Sequence, residues 1–355
     1  MTSPRRIVLV TESFDPRLTG TAGTVRQVAD RLVALGHRVR ILTAGPGPAS
    51  YHAVGISRFS PPRRNAKLRE ALTAFGPDLV HVFTPGPVGT RALRQARRMG
   101  VPTLVTETSP RAEYAPPQWR ASVAERADRL VVTASWLRDR LSGAGLPALL
   151  WTPGVDTDVF SPARRDQALR ASWTDGDLTQ VVVGYVGSLR KRHGVRRLAE
   201  VAAVPGTRLV VVGDGPQQAW LRSRLPESVR FTGTLKPREA AMAIASLDLL
   251  VAPSTVATCA HALREAAACG VPVVAPRAGG AIDVVRHLET GLLYDPADPV
   301  GLADAVAAVV ADRRRQLLGD HAREVSARRT WRDAVDELVR EHYAPLLGSS
   351  LSAAA

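Results

Sequence analysis

Cysteine is almost absent from this chain of 355 residues. The two that occur, Cys259 and Cys269, cannot supply a disulfide framework or a metal site, and a reducing, cytoplasmic setting follows. Long apolar runs are missing too; none approaches the roughly 18 residues that would suggest a membrane span. The start of the chain does not read as a secretory signal. Arg5 and Arg6 lead into IVLVTESF, which is too short and too polar at its end for a signal and reads as a first strand. Lysine is scarce, limited to Lys67, Lys191 and Lys236. The many arginines are not interleaved with aromatic residues and no nucleic-acid motif is present, so no nucleic-acid partner is expected.

What the chain has is apolar bulk and uneven charge. Hydrophobic residues make up 45%, ample for packed cores, and the length fits two domains. The net charge of +14 is concentrated at one end: residues 1–155 hold 22 basic against 10 acidic side chains, and residues 156–355 hold 25 against 23. Such a basic half suits an acidic acceptor or an anionic membrane surface; the plain alternative is a set of arginine-rich solvated faces. Ser60-Pro61-Pro62-Arg63-Arg64-Asn65-Ala66-Lys67, with Arg94, Arg97 and Arg98, is the candidate for membrane contact.

Strand and helix patterns alternate along the chain. Strands are expected at residues 7–11, 38–43, 79–83, 103–106 and 130–133, and helices at 24–36, 68–75 and 89–99. The stretch TPGVDTDVFSP, residues 152–162, is rich in Pro, Asp and Gly and reads as a linker. The alternation then restarts, with strands at 181–187, 208–212, 229–232 and 249–252 and a helix at 195–202. An amphipathic helix is expected at 331–343, and the Ser/Ala tail 349–355 is expected to fray. The implied fold class is α/β, two doubly wound domains facing a central cleft. Their limits are 1–151 and 163–330, with a C-terminal helix over 331–348 packing back on the first domain. His81 reads as a buried strand histidine. Asp156-Thr157-Asp158 spells a metal-type pattern but lies in the linker, and no metal is expected.

The most informative stretch is LLVAPSTVATCAHALREAAACGVPVVAPRAGGAIDVV, residues 249–285. Val271 to Ala275 is a short apolar run after a Gly-Val-Pro stop and suits a buried parallel strand. The glycines Gly279 and Gly280 follow, and a helix is expected to open there. Its amide N–H groups and dipole would face an anion. Glu265, on the preceding helix, can accept hydrogen bonds from ribose hydroxyls. A phosphate cradle beside such a carboxylate suits a nucleotide-linked ligand.

At this point the chain resembles a known family, the retaining glycosyltransferases of family 4, which have the GT-B fold of two Rossmann-like domains. The likeness runs from about residue 6 to about residue 345. It rests on VTESFDPRLTG, LLWTPGVDTDVFSP, VVVGDGPQQAWL, RFTGTL and REAAACGVPVVAPRAGG taken together. Within the family it is to the bacterial mannosyltransferases that extend phosphatidylinositol mannosides. The resemblance implies a nucleotide-sugar donor held by the C-terminal domain and a polar or lipid-linked acceptor held by the N-terminal domain. It implies hexose transfer, mannose favoured, with same-face attack in which the leaving phosphate takes the acceptor proton. The diphosphate would be stabilised by basic side chains and amides, with no metal or other cofactor. The chain would work in the cytoplasm, peripheral to the inner face of the membrane. The resemblance places Gly20, Gly213, Thr232, Gly279 and Gly280 around the donor, and Glu265 on its ribose.

Several motif positions depart from the family pattern. The family's Arg and Lys after the first strand of its second domain fall on Ser188 and His193, between which lie Leu189, Arg190, Lys191 and Arg192. Two lost charged hydrogen bonds would cost about 3–6 kcal/mol of transition-state stabilisation. Arg190 or Lys191 could turn in to replace them, and a protonated His193 could stand in for the lysine. The first of the family's two spaced glutamates falls on Ala257, leaving Glu265 as the second. Glu107 occupies a loop that the family places beside the reacting sugar, where it would either oppose the diphosphate or supply a carboxylate from the other wall. These departures leave an alternative open: a catalytically degenerate paralogue acting as a binding or partner subunit, or a pseudo-glycosyl coupling with an unusual donor.

Overall fold

Valine, isoleucine and leucine dominate the strands, because a strand covered on both faces has no side that can stay polar. In a computed structural model, which describes residues 3–15, 20–60, 64–109 and 116–348, these runs form two sheets. The chain divides into two units, Met1–Pro153 with Trp331–Ala355, and Gly154–Thr330. Residues 16–19 of the first glycine loop, 61–63 of the basic segment and the tail 349–355 lie outside the described residues.

The strands of the first unit are β1 (Arg6–Thr11), β2 (Arg38–Ala44), β3 (Ser50–Tyr51), β4 (Val54–Phe59), β5 (Leu79–Phe83), β6 (Thr103–Glu107), β7 (Arg129–Val132) and β8 (Leu149–Leu150). They lie in the order β3-β4-β2-β1-β5-β6-β7-β8, parallel except for the β3–β4 pair. Leu9 on β1 faces Ile41 on one side and His81 on the other. The helices are α1 (Gly20–Ala34), α2 (Arg64–Phe75), α3 (Pro87–Arg98), α4 (Pro117–Ser122) and α5 (Ser135–Gly143). Helix α1 turns Val25, Val28, Ala29 and Leu32 inward onto Ile7 and Leu9. Helices α2 and α3 bury Leu68, Leu72, Val88 and Leu93 against Val8 and Val10 on the opposite face. Three helix starts differ from the sequence reading. Helix α2 opens at Arg64 rather than at residue 68. Helix α1 begins at Gly20, so that glycine is a helical residue, not a loop one. Helix α3 begins at Pro87, whose fixed φ suits a first helical turn.

The second unit contains β9 (Val181–Val186), β10 (Thr207–Val212), β11 (Arg230–Gly233), β12 (Leu249–Val251), β13 (Val273–Pro276) and β14 (Gly291–Tyr294). Their order is β11-β10-β9-β12-β13-β14, and every pairing is parallel. Alternate residues of β9 feed the two cores, Val181 and Val183 one and Val182 the other. Covering helices are α6 (Gln167–Trp173), α7 (Leu198–Ala202), α8 (Gln218–Arg224), α9 (Pro237–Ala245), α10 (His261–Ala268), α11 (Gly301–Ala311) and α12 (Gln316–Ser326). The helix expected over 195–202 is a tight 3-10 turn, Val195–Arg197, before α7.

The chain then returns to the first unit through α13 (Trp331–Glu337), which widens into a π-type turn over Leu338–Tyr343. Ala334, Val335, Leu338 and Tyr343 join the core under α1. The Arg31 guanidinium donates twice to Asp336, both bonds at 2.7 Å. The indole N–H of Trp151 donates to the Ala334 carbonyl at 2.7 Å. His81, central in β5 and fully buried, meets Tyr343 Oη at 2.8 Å through Nδ1 and Thr106 Oγ1 at 2.7 Å through Nε2. Burial, aided by His342, holds that imidazole well below its usual pKa.

Candidate functional site

Ligands of open parallel sheets meet the carboxyl ends of the strands where the strand order reverses. In the second unit that point is between β9 and β12, because β10 flanks β9 on the other side. The loop after β9 holds Ser188, Arg190 and Lys191, all exposed. Its shape is fixed by one carbonyl: Ser188 O accepts from Tyr185 Oη at 3.1 Å and from His193 Nδ1 at 2.9 Å. A carbonyl only accepts, so His193 carries its proton on Nδ1, and Nε2 is left to accept from Arg192 Nε at 3.3 Å. Burial lowers the pKa of this imidazole; the Ser188 bond opposes that, and Arg192 and Arg190 reinforce it. Without a ligand this environment favours the neutral imidazole over an imidazolium in place of a lysine.

The loop after β10 lies against it. Gly213 has φ +127°, its N–H donates to Gly233 O at 2.8 Å, and a β-carbon there would sit 2.0 Å from Gly187 O. Glycine lets the two loops touch backbone to backbone. Thr232, at the end of β11, donates its hydroxyl to Gly233 O at 3.0 Å.

The loop after β12 leads through Ala257 into α10. Ala260 begins that helix from the left-handed region, at φ +48° and ψ +39°, which costs about 1–2 kcal/mol for a residue with a β-carbon. No helix opens at Gly279. A single 3-10 turn, Gly279–Ala281, stands there, so the expected helix dipole does not back these amides. Gly-Gly followed closely by Val284 and Val285 is poor helix material. The glycines serve close packing instead: a β-carbon on Gly279 would lie 2.7 Å from Thr255 O. Gly280 donates its N–H to Ala257 O at 2.7 Å.

Three adjacent ionisable side chains on α10 are all pushed toward neutrality. Burial raises the Glu265 carboxyl to about 7. Burial, with Arg264 beside it, lowers His261 to about 4. Burial is also the largest influence on Arg264, lowered to about 10. Among the described residues the Glu265 side chain makes no hydrogen bond or ion pair, and the single side-chain hydrogen bond of Arg264 runs from Nε to Cys259 O at 3.3 Å; both side chains are only partly buried. Ser254 Oγ, on the loop after β12, is buried without a partner. Nothing in the sequence marked Arg264 or Ser254. Cys269 is buried and its thiol is pushed up to about 12, chiefly by burial, which suits a packing residue.

In the first unit the order reverses between β1 and β5. There Glu12, which sequence reasoning passed over, accepts three N–H bonds on Oε1, from Gly86 (3.0 Å), Val88 (2.9 Å) and Gly89 (2.8 Å). Its charge complements the positive end of α3. Thr84, just after β5, sits at φ +47° with its hydroxyl on that of Thr108. Glu107 ends β6 and is 2% exposed. Oε1 accepts from Ser109 N at 2.7 Å and Oε2 from the Trp119 indole at 3.0 Å. Burial raises the carboxyl to about 7 against these bonds and one from Thr108. Glu107 thus holds a turn and a tryptophan. Gly20 is exposed at the start of α1.

The outer faces of α2 and α3 are basic. Lys67, Arg69, Arg94, Arg97 and Arg98 are exposed, while Leu68, Ala92, Leu93 and Ala96 face the core. Among the described residues no helix is long and apolar enough to cross a membrane, and no group of three His, Cys, Asp or Glu side chains could hold a metal ion. In the Asp-Thr-Asp stretch, Asp156 Oδ1 accepts from the N–H groups of Asp158 and Val159 at 3.2 and 3.0 Å.

Two family models match the chain: Glycosyltransferase Family 4 over residues 18–159 and Glycosyl transferases group 1 over residues 180–312. A GDP-mannose-dependent alpha-mannosyltransferase of Mycolicibacterium smegmatis is 35% identical, over 97% of this chain and 98% of that protein. The chain belongs to glycosyltransferase family 4. A GDP-mannose-dependent alpha-(1-6)-phosphatidylinositol monomannoside mannosyltransferase of Mycobacterium tuberculosis matches less strongly, at 29% over 92% of this chain and 95% of its own. Among solved structures, Anabaena Alr3699/HepE in complex with UDP and glucose superposes with a TM-score of 0.82 at 19% identity, covering 96% of this chain and all of that one. This likeness is of fold, and it confirms the GT-B class. The family 4 chain is a glycosyltransferase.

Proposed function

We propose that this glycosyltransferase moves mannose from GDP-mannose to a polar or lipid-linked acceptor hydroxyl, with retention at the anomeric carbon and without a metal. The relatives' names support the donor. The observation that carries the reading to this chain is Glu265, a carboxyl crowded by protein yet still reached by solvent, with no protein partner for its side chain. Such a group costs stability and suits a site whose ligand brings hydroxyl donors, here the ribose. The second unit takes the donor, with Arg190 and Lys191 reaching its diphosphate, the loops at Gly213, Thr232 and Gly279–Gly280 shaping its seat, and the Ser188 and Ala257 positions leaving room around it. The first unit takes the acceptor. Its Lys67, Arg94, Arg97 and Arg98 face rests on an anionic membrane, each charge adding about 1 kcal/mol near the surface. The test is a thermal-shift and turnover screen with GDP-, UDP-, ADP- and dTDP-sugars. GDP-mannose at 100 times its Kd should stabilise the fold by about 2.7 kcal/mol, and Glu265→Ala should abolish turnover. Stabilisation by none of the four donors defeats the proposal.

A further inference from the structure

Arg264 and Glu265 sit side by side on α10 with opposite charges, and no ion pair joins them or ties either to a third residue among the described ones. Glu265 has a use if a ribose binds. Arg264 has none so far. A guanidinium offers five N–H donors in a planar fork, and this one spends a single long bond, Nε to Cys259 O at 3.3 Å. Asp283 is near enough to favour its charge, yet no carboxylate oxygen comes within ion-pair distance of it among the described residues, and Arg329 acts against it. Protein crowds the guanidinium, yet its terminal nitrogens bond nothing in the protein and still reach solvent, so they are open to an anion. Ser254 Oγ, three residues after β12, is buried without a partner.

We propose that Arg264 is an anion-binding residue of this site and takes a phosphate oxyanion of the ligand through its free guanidinium edge. The proposal rests on the reading that a phosphorylated substrate binds the second unit. Two sources offer that chemistry, the diphosphate of the donor and a phosphate on the acceptor. Arg264 and Glu265 would then divide the ligand, the arginine holding phosphate and the glutamate holding hydroxyls.

Calorimetric titration of the full chain separates the possibilities, using GDP, guanosine and glycerol 3-phosphate as probes against wild type, Arg264→Lys and Arg264→Met. The expected result is GDP binding weakened about 10- to 100-fold in Arg264→Met, with guanosine unchanged and Arg264→Lys in between. A loss confined to glycerol 3-phosphate supports the proposal and assigns the acceptor as the source. An equal loss for GDP and guanosine, no loss for either phosphate, or wild type that binds neither phosphate overturns it. Arg264→Gln replaces the methionine variant should the latter fail to fold, as judged by its melting curve. The donor reading is judged separately by whether wild type binds guanosine and Glu265→Ala does not, so the two ideas fail independently.

Discussion

Glu265→Gln should make the empty protein more stable at alkaline pH while destroying its activity. Its carboxyl moves from 4.5 to about 7 on folding, and burial is the cause. A raised carboxyl pKa means that the folded state binds the proton more tightly than the unfolded one, so stability falls as pH rises between those values. Well below 4.5 the group is protonated in both states and contributes nothing. Above 7 it is ionised in both, and the fold bears the whole cost, at most about 3 kcal/mol at 1.36 kcal/mol per pH unit. Glutamine keeps the shape and removes the charge. At pH 8 the variant should therefore gain up to about 3 kcal/mol, or roughly 6–12 °C in melting temperature for a unit of this size. At pH 5 the gain should shrink to under about 1 kcal/mol. Differential scanning calorimetry of both proteins at the two pH values measures this directly, since the other titrating groups cancel in the difference. A gain that is the same at pH 5 and pH 8, or no gain at either, would refute the reasoning that the surrounding protein disfavours the charge of this partnerless carboxyl.

Tyr343→Phe should cost about 1–3 kcal/mol, because it leaves one ring nitrogen of the buried His81 without a partner; urea unfolding of the first unit gives the value. Gly213→Ala should cost about 2 kcal/mol or more, since the new methyl meets Gly187 O in a left-handed backbone. Its loss of donor affinity should exceed that of a surface alanine control in the same binding assay. Replacing Arg94, Arg97 and Arg98 together by glutamate should abolish sedimentation with phosphatidylserine vesicles at low salt, where wild type binds, and 0.5 M salt, roughly a 4–5 Å screening length, should release wild type as well.

The frame of the fold was legible wherever burial is continuous. LVHVF at β5 and VVVGYV at β9 have no polar face, which only a parallel central strand tolerates. Strand β4, VGISRF, escaped notice because Gly55, Ser57 and Arg58 interrupt its apolar pattern. Arg58 is there to bond Pro48 O, Pro46 O and Asp15 O, partners that are brought to it by folding. At the site, Glu265 was recognisable from its motif, but its solitude was not. Gly279-Gly280 looks like the opening of a helix, yet its role is set by a loop more than twenty residues earlier. Glu107 looked like a free carboxylate because its partner Trp119 lies twelve residues further along the chain. Arg264 reads in sequence as an ordinary solvated helix residue, and only the crowding of protein around it sets it apart.

The first unit is assembled from both ends of the chain, and this dictates an order of events on the ribosome. The middle segment is complete once residue 330 has emerged, and it can close its own sheet at once. The earlier segment must wait. Until Trp331–Tyr343 arrives, Trp151 has no carbonyl to donate to, His81 has an open ring nitrogen, and the apolar face of α1 lacks its cover. A nascent chain stalled before that point would present a greasy, half-finished surface to chaperones, although most of its residues had already been made.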